Sequence, residues 1–405
     1  GETPPPPPLV FDRATTATLN LRALRLNVGN PLDPAALQAD LTATANQARG
    51  KTSDETPFAY RDVELALATE ARPGTTPRLR TDLTGFSLNQ PANAEIPAID
   101  LHLGVEDMLG AEGLTPTEAR VTGSLRVENL SMGLVDGLAG MGGILQAALG
   151  AHATADLQLD NFSRESGTLA AAFDSDNGDL NASGAASDGV FALDQPLTAS
   201  LLVSEAMSEL VLKDLIPIYE LRKTPEDGPA TLQLTDFRAP LDGDLAKLNG
   251  RVDLDLGRAM YVLREPFNSL VAAASNDVQG DIRQVIPPIE MTITDGVVRY
   301  AELPVVVNRT RMLFTGRINL KTRNIRLDTE IPFEDLDTGI LRSIGGIGDL
   351  RKILPEGTMF PIVIKGTISE PKLDVEAGLK KLQDNLGEGL LERGLEEGLK
   401  DLLGG

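Results

Sequence analysis

Phe314-Thr-Gly-Arg-Ile-Asn-Leu320 sets an apolar or small residue at every second position, with polar residues between. A strand turns successive side chains to opposite faces, so this spacing gives one apolar face and one polar face. After a short turn at 321–324, Ile325-Arg-Leu-Asp-Thr-Glu-Ile331 repeats the alternation. The two runs are predicted as a long antiparallel hairpin, greasy on one side and charged on the other.

The same period recurs outward from this hairpin. It is present in Val252-Asp-Leu-Asp-Leu256, Ile289-Glu-Met-Thr-Ile293 and Ile362-Val-Ile-Lys-Gly-Thr-Ile368. Toward the N-terminus it returns in Val63-Glu-Leu-Ala-Leu67, Ile99-Asp-Leu-His-Leu103, Leu125-Arg-Val127, Leu157-Gln-Leu159 and Leu232-Gln-Leu234. Asp295-Gly296 and Asn177-Gly178 are two-residue hairpin signals, and Ser187-Asp-Gly189 and Asp242-Gly243 mark further breaks. The predicted fold is mainly β: an extended, twisted antiparallel sheet curled into a groove, with a few short α-helices. A recurring glycine before alternating residues (Gly123, Gly250, Gly316, Gly366) reads as a series of strand starts. Its spacing is too irregular for a fixed-period solenoid.

Helical spacing is confined to a few places: 134–149, 207–219 up to Pro217, and part of 258–285, interrupted at Pro266 and closed by Pro287-Pro288. Residues 335–354 read as a loop with a helical turn or two, and Leu37-Gln-Ala-Asp-Leu-Thr-Ala43 stays open between strand and helix. Leu379, Leu382, Leu386, Leu390, Leu395, Leu399 and Leu402 form a C-terminal amphipathic stripe. Its glycines cost about 1 kcal/mol each relative to alanine, so that helix needs cover for its leucines.

Composition narrows the function. With 405 residues, 41% of them hydrophobic, the chain is long enough for one elongated domain or two compact ones. Asp and Glu outnumber Lys and Arg by 59 to 37, a formal net charge of −22, which repels nucleic acid and anionic headgroups. Any binding of lipid would therefore be apolar. There is no cysteine, which removes disulfides and thiolate chemistry and leans toward an envelope compartment. No run approaches the roughly 20 apolar residues of a membrane span. The proline run from Pro4 to Pro8 reads as a stiff spacer, with an anchor or export signal expected upstream of it.

Catalytic patterns are wanting. His102 and His152 are isolated, and two histidines without cysteine make a transition-metal site improbable. Asp174-Ser-Asp-Asn-Gly-Asp-Leu-Asn181 has a calcium-loop flavour, but its glycine is fifth and its twelfth position is Ala185, so it reads as a hairpin turn. No cofactor and no enzymatic activity are expected.

The last third carries an ordered series: Ile289-Glu-Met-Thr-Ile-Thr-Asp-Gly-Val-Val-Arg-Tyr300, the Phe314–Ile331 hairpin, and Phe360-Pro-Ile-Val-Ile-Lys-Gly-Thr-Ile-Ser-Glu-Pro-Lys-Leu-Asp374. In this order, with the leucine-rich tail behind, it resembles the C-terminal region of the AsmA-like family. The resemblance implies a long antiparallel sheet curled around an apolar groove, anchored to the inner membrane and projecting into the periplasm. It also implies a role in outer-membrane lipid homeostasis, with phospholipid or another envelope lipid as the partner and the membrane reached through an anchor outside this chain.

The organisation expected is a proline-rich linker (1–12), an N-terminal β-rich region (13–222), a C-terminal AsmA-like β region (231–375) and a C-terminal amphipathic helix (376–405). The groove candidates are Leu254, Leu256, Ile318, Leu320, Ile325, Leu327, Ile362 and Ile364, the inward phase of their strands. Two readings of that face stand side by side: an open trough for acyl chains, or an ordinary core filled by the chain itself. A scaffold that binds an envelope protein through a sheet edge is the alternative function.

Overall fold

The computed structural model describes residues 9–12, 15–25, 38–52, 57–70, 78–107, 109–110, 113–114, 119–139, 142–175, 177–269, 282–307, 310–332 and 357–386. Strand dominates among them, so the protein is mainly β and antiparallel, with a few short helices. The chain divides into two units. One is Gly1–Leu201 with Gln233–Gly243; the other is Leu202–Leu232 with Asp244–Gly405. The division falls ahead of the break read at 222–230. The reason is burial: Ile216, Ile218, Tyr219 and Leu221 are sealed from solvent and belong to the second unit's core.

The first unit is an antiparallel sheet in which sequence neighbours pair. Gln38–Thr52 is flanked on one side by Leu9–Phe11 and Ala17–Arg25, and on the other by Pro57–Glu70. From there the order runs through Arg78–Ser87, Ile99–Glu106, Arg120–Ser131, His152–Phe162, Ser166–Ser175 and Gly178–Ser187. Val190–Leu193 and Leu197–Leu201 both pair with the last of these. The open stretch at 37–43 is strand from Gln38 on, and part of the expected linker, Leu9–Phe11, is strand as well. Asp174–Asn181 is the hairpin turn expected, with Asp174 opposite Asp179.

These strands are bent where a residue is inserted. Register shifts fall between Arg61 and Glu64, between Ala153 and Ala155, and between Leu159 and Phe162. Asp62, Asn129 and Asn161 sit there with φ of 51°, 58° and 45°. Asp and Asn tolerate this left-handed conformation, and each bulge bends its strand and adds twist. Gly123 works differently. It lies inside Arg120–Ser131, so it is no strand start. Its φ is 150°, and a Cβ there would come within 1.8 Å of the His102 carbonyl oxygen. Gly316 repeats this against Arg326 in the second unit.

The helical spacing at 134–149 resolves into two short helices, Met132–Ala139 and Ile144–Leu149. The buried Asp136 joins them, accepting from the backbone N–H groups of Leu145 (3.0 Å) and Gln146 (2.7 Å). Two orphan donors of the second helix are thereby satisfied.

The second unit pairs Asn249–Asp255, Ile289–Thr294, Val297–Val307, Thr310–Asn319, Asn324–Pro332, Met359–Thr367 and Pro371–Leu373 in that order. The opening hairpin is as read, with Ile318 opposite Ile325. A smaller sheet joins Tyr219–Arg222, Gly257–Leu263 and Ile282–Ile286. The range 258–285, expected to be helical in part, is strand at both ends and helical at 267–269, just past Pro266. Ala259, Tyr261 and Leu263 point inward with a period of two, and that pattern outweighs the helix propensity of Arg, Ala and Met. Residues 270–281 and 335–354 lie outside the described residues.

At Glu205–Leu215 the chain is helical, with a π-turn over Ser208–Leu212, and it ends before Pro217. Two buried tyrosines tie it and its neighbours to the sheet: Tyr300 donates to the Leu215 carbonyl and Tyr219 to that of Pro304. Burial pushes the Tyr300 hydroxyl far above its ordinary value, so it stays a donor. Of the C-terminal stripe, Val375–Leu386 is a helix packed on Met359–Thr367; Leu382 is buried and Lys381 reaches Asp328 at 2.9 Å. Residues 387–405 lie outside the described residues.

Candidate functional site

Apolar faces of the two units differ in how far they are filled. In the second unit Leu254, Leu256, Ile318, Ile325, Leu327, Ile362 and Ile364 are at most 4% exposed. Leu320 sits just past its strand, partly buried, its N–H bonded to the Gly296 carbonyl at 2.9 Å. The chain's own rings help occupy this core. Tyr219 meets Tyr261 edge-on at 4.9 Å between centroids, and Phe267 meets Phe314 edge-on at 5.7 Å. The structure therefore brings seven of the eight groove candidates together as a dry core.

The first unit builds its apolar face from leucines in register, with a few smaller residues among them. One row runs straight across the strands: Leu19 opposite Ala43, then Leu65, Leu83, Leu101, Leu125 and Leu157. A second row beside it holds Leu21, Leu41, Leu67, Leu103 and Leu159, with Thr81 and Gly123 between. Paired residues share a face, so both rows line the same side. From Leu65 to Leu157 every leucine of the first row is only partly buried. Six steps of about 4.8 Å make the row about 29 Å long, roughly twice the hydrocarbon half-thickness of a bilayer. Toward its last strands the Ile144–Leu149 helix packs on His152–Phe162, Ser166–Ser175 and Gly178–Ser187, with Ala147 and Leu149 buried.

The opposite face is charged. His102 lies between two carboxylates, with Nδ1 2.7 Å from Asp82 and Nε2 2.9 Å from Asp100. The hydrogen bond to Asp82 raises the imidazole pKa, assisted by the charge of Asp100 and opposed by partial burial. Burial works upward on Asp82, but hydrogen bonds from His102 and Arg80 overcome it and hold the carboxyl low. Arg126 extends the network to Asp156 at 3.6 Å. The cluster is half-exposed and every member has a charge partner, so it keeps one face wet. His152 begins its strand opposite Ser131.

Other concavities among the described residues are open to solvent and mixed in lining. An open depression of about 770 Å³ is lined by Asp107, Arg120, Ser163, Arg164, Glu165 and Asp188, and Arg120 is already paired with Asp107. In the second unit the buried Lys223 donates to the carbonyls of Leu256 and Pro229, and burial lowers its pKa. Among the described residues no cluster of three or more His, Asp or Glu could hold a metal ion. Among them, too, no helix is long and apolar enough to cross a membrane. A scan of protein-family models, a search of curated proteins and a search of solved structures return no match.

Sequence reasoning placed the candidate surface in the second unit because the inward phase there lies in or beside the strands that carry the family resemblance. The leucine rows of the first unit alternate just as regularly. What separates the two is aromatic filler: the largest fully buried rings, Tyr219, Tyr261, Phe267, Phe314 and Phe360, all fall in the second unit.

Proposed function

We propose that the chain is a non-enzymatic lipid-handling module of the cell envelope, which shields acyl chains on the leucine rows of its first unit. The observation that carries the proposal is the contrast in filling: the rows from Leu65 to Leu157 are in register and only partly buried, while the matching face of the second unit is dry. Each methylene taken from water contributes about 0.8 kcal/mol, so an acyl chain can be held there without any charged contact. The net charge of −22 and the charged outer face suit a module that keeps headgroups at the rim and in solvent. A row of this kind has no selective donor or acceptor, so it would grade lipids by chain and not by headgroup. Placement in the periplasm, with an inner-membrane anchor outside this chain and a part in outer-membrane lipid homeostasis, follows from the AsmA-like resemblance of the last third and belongs to the same proposal.

Photo-crosslinking tests it. A phospholipid with a photoreactive acyl chain, incubated with the full chain, is expected to label peptides within 57–70, 78–87, 99–106 and 120–131. Labelling confined to exposed loops, or equal labelling after heat unfolding, contradicts the proposal.

A further inference from the structure

The leucine rows do not stop inside the sheet; they run off its first edge. Ala17–Arg25 pairs only with Gln38–Thr52 among the described residues. It carries the most exposed members of both rows, Leu19 at 65% and Leu21 at 54%. Val10 and Phe11, on the short strand along the same side of Gln38–Thr52, are equally open at 54% each. An edge strand presents backbone N–H and C=O groups to any strand laid beside it. Proteins usually blunt such edges with lysine, proline, an inward charge or a bulge; Ala17–Leu21 has none of these on its leucine face, and the strand's one register shift comes after it, between Leu21 and Ala23.

Charge says what kind of strand would fit. The described strands on this side, 9–12, 15–25 and 38–52, hold four basic residues (Arg22, Arg25, Arg49, Lys51) against two acidic ones (Asp12, Asp40), a balance of +2 in a chain of −22. At physiological salt, charges beyond about 8 Å are screened, so the local sign governs the edge. We infer that Ala17–Arg25 is a strand-addition site for a separate polypeptide segment whose alternate residues are apolar on one side and acidic on the other. The apolar side continues the leucine rows; the acidic side meets Arg22 and its basic neighbourhood. A second copy of this chain fits less well, because it brings the same arginines to the same edge.

The test uses the full chain and a fluorescent synthetic nonapeptide alternating leucine with aspartate, beside one alternating leucine with arginine. Binding counts when hydrogen exchange slows at the amides of 17–25. The leucine–aspartate peptide is expected to protect that strand at a concentration at least tenfold lower than the leucine–arginine peptide. Leu19→Asp with Leu21→Asp should abolish the protection, and both positions are open enough for the sheet to stay folded, as circular dichroism will verify. Arg22→Glu should remove the preference between the peptides. Equal protection by both peptides, protection that survives the double substitution, or a concentration-dependent dimer that already protects 17–25 overturns the inference.

Discussion

Leu327→Ala and Leu101→Ala delete the same three carbons from opposite kinds of surface. Leu327 is completely buried in the second unit, so the deletion loses transfer energy and leaves a cavity. Large-to-small changes at such sites cost about 2–5 kcal/mol. For a unit of this size roughly 3 kcal/mol lowers the melting temperature by about 6–12 °C. Leu101 is partly buried in the middle of the first leucine row, and the space it vacates opens to solvent. Its partial burial leaves at most about a third of the side chain wet, so stability falls by at least roughly 1.5 kcal/mol of the ~2.4 kcal/mol that three methylenes are worth. The remainder, up to ~0.8 kcal/mol, is expressed only when lipid dries the row, a loss of up to about fourfold in affinity. Thermal melts followed by circular dichroism give the first quantity, and titration with a fluorescent fatty acid gives the second. Leu327→Ala should leave lipid affinity unchanged at temperatures where it stays folded. If Leu101→Ala destabilises as much as Leu327→Ala and lipid affinity does not move, the leucine rows are filled core and the reasoning fails.

Three further outcomes follow from the geometry. Gly123→Ala places a methyl against the His102 carbonyl at a backbone angle alanine avoids, and should cost about 2 kcal/mol or more by chemical denaturation. His102 should titrate above 6.5 by NMR; because its folded pKa is raised, its contribution to stability is complete below 6.5 and fades as pH rises through the folded value, and His102→Gln should flatten that dependence. Asp227 is held down to about 2, first by the Thr224 backbone N–H and then by Arg283, so its contribution is present above about 4 and is lost as pH falls toward 2; Asp227→Asn should remove that acid-side slope from denaturation curves.

Alternation made the strands legible. The hairpin at Asp295-Gly296 was readable because a dipeptide of this kind supplies the positive φ a two-residue turn needs, and here the two residues have φ of 49° and 68°. The hairpin signalled by Asn177-Gly178 is present too, but Gly178 already belongs to its strand, opposite Ser175. The strand at Gly257–Leu263 escaped because Met260 and Val262 fall on its other side and fill the apolar gaps, which blurs period two into a continuous run. The glycines at 123 and 316 were visible but misassigned: their role is close approach to a carbonyl on the next strand, and sequence cannot show a neighbour that far along the chain. Filling is the property least legible of all. A face that packs on its own rings and a face left partly wet have the same alternation, and only the position of the chain's aromatic residues separates them.

Native mass spectrometry of the full chain, purified from a Gram-negative host and paired with lipid extraction of the same sample, tests the central claim most directly. The account predicts phospholipid bound at near-stoichiometric levels, retained when Leu320→Asp is introduced in the second unit and lost when Leu101→Asp and Leu125→Asp are introduced together in the first. A stable, lipid-free protein, or lipid that stays bound in the Leu101→Asp, Leu125→Asp variant, would contradict it.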